Sequence, residues 1–113
     1  MTAAPALTRF AETIDARDWA SLRDLLAPGF TAHFVHTGQT FDRDGWVAFN
    51  NDYPGHWRFR WEDVVVTGDR GAGRARVSNG EQTFHVASFV TVDPDGLIGE
   101  LVEVWTEESA SGQ

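Results

Sequence analysis

Residues 82–106 read Gln82-Thr-Phe-His-Val-Ala-Ser-Phe-Val-Thr-Val92, then Asp93-Pro-Asp-Gly96, then Leu97-Ile-Gly-Glu-Leu-Val-Glu-Val-Trp-Thr106. Two runs of β-branched and aromatic residues flank a four-residue turn with Pro at its second position and Gly at its fourth. That is the pattern of a type I turn with a glycine bulge, so the stretch is a long antiparallel hairpin. Successive side chains of a strand point to opposite faces. Phe84, Val86, Ser88, Val90 and Val92 therefore share one face of the first strand. Leu101, Glu103 and Trp105 share one face of the second, with Val102 and Val104 on the other.

Before this hairpin, Asn79-Gly80 is the strongest short hairpin signal. It joins a strand over Ala72–Ser78 to the next, and Gly68-Asp-Arg-Gly71 turns a strand over Arg58–Thr67 into it. The first third is helical. Leu7, Phe10, Ala11 and Ile14 form one apolar stripe at helical spacing. Asp18 is placed to cap a second helix carrying Trp19, Leu22, Leu25 and Leu26, which Ala27-Pro28-Gly29 ends. Phe30–His36 alternates as a strand. Asp42 opens a third helix bearing Trp46, Val47, Phe49 and Asn50, closed by Tyr53-Pro54-Gly55. Three helices and a run of hairpin-linked strands describe an α+β domain, the helices covering one face of a mostly antiparallel sheet. One domain spans residues 1–113, with a solvated tail over 107–113.

The chain has 113 residues, 17 acidic and 9 basic, for a net charge of −8. Nucleic acid and anionic membrane surfaces need a basic footprint, so neither is an expected partner. No cysteine is present, which excludes disulfides, thiolate metal sites and cysteine nucleophiles. His33 and His36 point to opposite faces of a strand and cannot chelate one ion, so no metal site is expected. The first residues, Met1-Thr-Ala-Ala-Pro-Ala6, carry neither a basic region nor an apolar run. The expectation is a cytoplasmic protein without a secretion signal.

Three stretches carry a family resemblance. They are Arg9–Asp18 with Trp19 and Leu25–His33, then Asp42–Phe49, then Val92–Glu107 with its terminal Val104-Trp105-Thr106-Glu107. Together they resemble the NTF2-like superfamily, and within it the SnoaL-like and ketosteroid-isomerase-like proteins, from about Leu7 to Glu107. The resemblance implies a cone-shaped α+β fold with an internal pocket and frequent dimerisation through the outer sheet face. In the isomerase branch a helix Tyr, a strand Asp and a second acid do the chemistry. Those positions match Phe10, Phe34 and Ser88 here, and none keeps the required group. The hydrogen-bonding position of the third helix matches Asn50, and the pocket Trp of the last strand matches Trp105. The resemblance implies a cyclase, isomerase or binding protein that needs no cofactor.

With Trp105 facing the pocket, Glu103 faces it too. A carboxylate between Leu101 and Trp105 is desolvated, which raises its pKa towards general acid/base range. The alternatives are a wet carboxylate at the mouth or one paired with an arginine. His36, at the mouth, is the second catalytic candidate; otherwise it is an exposed loop residue. Asn50 either holds a substrate oxygen or satisfies the end of its own helix. Phe10, Ile14, Phe34, Trp46, Trp57, Val86, Ser88 and Leu101 complete the expected substrate-binding set. Trp19 reads as core. Such an aromatic pocket suits a flat, apolar molecule of polyketide or terpenoid type. Arg58, Arg60, Arg74 and Arg76 read as a solvated face laddered against Glu62 or Glu81. Phe89, Val102 and Val104, with Val64 or Val65, make an apolar outer face that is expected to form a homodimer. Three readings remain open: an enzyme, a ligand-binding module without chemistry, and a dimerisation domain whose own side chains fill the cavity.

Overall fold

The computed structural model describes residues 2–109. Helix α1 spans Ala4–Asp15 and buries Leu7 and Phe10, with Pro5 in its first turn. Arg17 N donates to Ile14 O and Asp18 N to Thr13 O, at 3.0 and 2.9 Å. This pair of bonds is a Schellman motif, and its left-handed position is held by Arg17 at φ +57°. Asp18 then caps α2 (Trp19–Asp24), accepting from Ser21 N. Asp42 does the same for α3 (Arg43–Asp52), accepting from Gly45 N at 2.7 Å.

Six strands follow the order β2-β1-β6-β5-β4-β3 in one curved, unclosed sheet. They are β1 (Leu26–Phe34), β2 (Thr40–Asp42), β3 (Arg58–Thr67), β4 (Arg70–Ser78), β5 (Thr83–Val92) and β6 (Ile98–Glu107). Only β1 and β6 run parallel; every other pair is antiparallel. Ser88 lies opposite Glu103, and Phe34 lies beside Glu103 on the other side.

The structure differs from the sequence reading at four places. The first strand begins at Leu26, not Phe30, because Leu25 O accepts from Ile98 N and Leu26 pairs with Ile98 before a bulge absorbs Pro28 and Gly29. It also ends at Phe34, which leaves His36 in a turn. The short β2 had no alternation to reveal it. Glu107, expected in the tail, belongs instead to β6, and Glu108 N donates to Thr83 O. Residues 110–113 lie outside the described residues.

The core is built around Phe10. Phe10 stacks on Trp46 and Trp61, with centroids 5.7 and 5.9 Å apart, and meets Phe59 edge-on. Trp61 in turn presses on β4 at Gly73, where a methyl group would stand 2.5 Å from the indole. On the solvated side Arg74 pairs with Glu62 at 3.0 Å, as the sequence implies, whereas Arg58 reaches Asp15 of α1 at 2.8 Å. Among the described residues, no helix is long and apolar enough to cross a membrane. Nor do three His, Cys, Asp or Glu side chains among them gather as for a metal ion.

Candidate functional site

Beside this core, the helices and the sheet leave a cavity of about 280 Å³. Its wall is mostly aromatic, and the rings touch in series. His36 stacks on Phe34, Phe34 meets Phe49, and Phe49 meets Tyr53. Tyr53 meets Trp57, Trp57 meets Phe84, and Phe84 meets Trp105, all with centroids within 6.3 Å. The belt closes where Trp105 N donates to His36 Nδ1, a long bond at 3.4 Å. In the neutral ring that bond leaves the proton on Nε2.

Glu103 is the one carboxylate on this wall, and it is 2 % exposed. Ser88 Oγ donates to its Oε2 at 2.6 Å and Trp105 Nε1 to its Oε1 at 3.2 Å. Burial away from water pushes its carboxyl up to about 7, against the pull of those two hydrogen bonds, which favour the ionised form. A group poised there can both take and return a proton near neutrality. Neither of the bland alternatives applies: Glu103 is not at a wet mouth, and no arginine is among its partners.

Asn50 lines the cavity, but its Nδ2 donates to Trp46 O one helical turn back, at 2.9 Å. Its Oδ1 and second N–H stay available. Ile14, Phe34, Trp46, Trp57 and Trp105 also line the wall.

Four expected pocket residues do not. Phe10, Val86, Ser88 and Leu101 are all buried behind the wall at 0–1 % exposure. They lie on the inward faces but are covered by neighbouring side chains, Phe10 by Trp46, Phe59 and Trp61. Ser88 acts from behind, through Glu103. Conversely, Trp19 is on the wall and not simply in the core, and it carries Arg17 over its ring at 5.5 Å. Phe49 and Tyr53 were missed, although both follow Trp46 at helical spacing, Phe49 within the third helix and Tyr53 just past its end. Phe59, Val77 and Phe84 from the sheet and Thr37 and Gln39 from the turn after β1 complete the wall.

The family model of the SnoaL-like domain matches residues 7–101. No curated protein matches the chain. Solved structures do match it. A candidate ketosteroid isomerase from Kribbella flavida superposes with a TM-score of 0.88 at 22% identity, covering 95% of this chain and 79% of that one. An NTF2-like protein of unknown function from Burkholderia xenovorans gives 0.84 at 14% identity, over 92% and 82% of the two chains. IdmH, a candidate polyketide cyclase from Streptomyces antibioticus, gives 0.78 at 21% identity, over 91% of each chain. At these identities the likeness is one of fold. The chain belongs to the SnoaL-like domain family and has the α+β NTF2-like fold.

Proposed function

We propose that this protein is a small-molecule enzyme, a cyclase or isomerase that works on a flat, apolar substrate of polyketide or terpenoid type without a cofactor. The observation that carries the reading is Glu103, buried against an aromatic cavity with its carboxyl pushed up to about 7. Its carboxylate takes a proton from a carbon beside a substrate carbonyl. The electron pair moves onto the carbonyl oxygen, and the enolate either takes the proton back from Glu103 at a conjugated carbon or closes a ring onto a second carbonyl, whose oxygen then takes that proton from Glu103. His36 through Nε2–H, or the free amide N–H of Asn50, holds the oxygen as charge develops there. The ring belt fixes the substrate's conformation, which lowers the barrier by positioning alone. The functional unit in this reading is a homodimer joined through the outer sheet face.

A carrier without turnover is the second reading. It is favoured by Phe10 and Phe34 at two of the positions where the isomerase branch needs a reactive group. A cavity filled by its own side chains does not fit an open space of about 280 Å³.

Proton exchange into β-tetralone, a flat bicyclic ketone, tests the proposal. In deuterium oxide the wild-type protein should speed loss of the proton beside the carbonyl, with a rate that rises through neutrality as Glu103 ionises. Glu103→Gln should lower that rate about a hundredfold or more. Exchange no faster than in buffer, with the ketone bound, would favour the carrier. Equal exchange by wild type and variant would remove Glu103 from the chemistry.

A further inference from the structure

Among the described residues, Arg17 is the only arginine on the cavity wall, and the sequence has no lysine. The other groups there that can carry charge are Glu103, His36 and Tyr53. Arg17 occupies the left-handed position of a Schellman motif, where glycine is the usual residue, so the sequence keeps a long cationic side chain in a backbone conformation that resists it. Its guanidinium lies 5.5 Å from the Trp19 ring centroid, and Nη1 makes one long bond, 3.3 Å, to Gly55 O in the loop after α3. It therefore does not serve the free carbonyls of its own helix, which would be the ordinary reason for a cation there. No carboxylate pairs with it among the described residues, although Arg23, Arg58 and Arg74 each hold one. A planar fork of donors, half-buried, oriented on two sides and lacking an anion among the described residues, stands on the wall of a mostly apolar cavity.

We infer that Arg17 is a specificity-determining residue that grips a carboxylate on one end of a flat aromatic ligand, whose apolar body lies along the ring belt towards Glu103. The inference rests on the cavity being a small-molecule site, and it narrows the substrate class to aromatic or polycyclic carboxylic acids. A carboxylate matches the guanidinium fork through two parallel hydrogen bonds, which a neutral amide cannot reproduce.

Naphthoate and its neutral counterpart naphthamide have nearly the same shape, and titration calorimetry of both reads the preference directly. Wild type should bind naphthoate about tenfold tighter than naphthamide in neutral, low-salt buffer. Arg17→Gly suits the left-handed backbone and so keeps the fold. It should erase that ratio while leaving naphthamide affinity in place. Arg17→Lys should restore part of the ratio. Equal binding of the two probes by wild type, a preference that survives in Arg17→Gly, or binding of neither probe would each overturn the inference. The Glu103 reading fails separately: a protein that prefers naphthoate yet never exchanges β-tetralone keeps Arg17's role and loses the proton transfer.

Discussion

At the scale of single residues, Glu103 ties stability to the proposed chemistry. Its folded pKa lies above its ordinary value of 4.5, so the folded chain holds the proton more tightly than the unfolded chain. The stabilisation is therefore complete below the ordinary value and is lost as pH rises to about 7. The loss is on the order of 3 kcal/mol. Glu103→Gln should remove it, leaving the variant increasingly stable relative to wild type across that window. Denaturant titrations at a series of pH values check this, and parallel curves for the two proteins would contradict it. Glu103 was legible because two-residue alternation puts it on the same face as Trp105, and the family resemblance implies that this face meets the pocket. Phe10, Val86, Ser88 and Leu101 were assigned the right face and the wrong depth. Parity says which way a side chain points, but not which inward-facing side chains their neighbours cover. Arg17 left no signal, because the left-handed turn it makes is normally announced by glycine.

At the scale of elements, the end of α1 is where backbone preference and side-chain placement oppose each other. A left-handed non-glycine residue costs about 1–2 kcal/mol, and glycine escapes that cost. Arg17→Gly should accordingly be about 1 kcal/mol more stable than Arg17→Ala, both having lost the side chain. Thermal unfolding of the pair measures it, and equal midpoints would mean the turn relaxes without glycine. The helix starts at Asp18 and Asp42 were readable, since a cap bonds to the backbone three residues on. The start of β1 was not, since what makes Leu26 a strand residue is Ile98, a partner far along the chain. Local signals wrote the caps and hairpins; only tertiary pairing wrote that boundary.

At the scale of the whole molecule, the outer sheet face carries Val65, Ala72, Phe89 and Val102 as successive cross-strand neighbours over β3, β4, β5 and β6. Phe89 is 44% exposed and Val65 63%. A row like this is what the proposed homodimer would cover. Phe89→Asp should turn a dimer into a monomer in sedimentation velocity without unfolding it, and a wild-type monomer would sink the dimer itself.

The lone parallel pair has a consequence for how the chain acquires its cavity. The antiparallel strands from β3 to β6 are joined by tight turns, so their pairings close short loops and can form early. The β1–β6 pairing instead joins the two ends of the chain; His36 and Trp105 meet across 69 positions. That closure carries the largest entropic cost of any in the sheet and is expected to follow the hairpins. The expectation is that Glu103 faces water until β1 and the helices cover it, because the burial that raises its carboxyl is supplied by that closure.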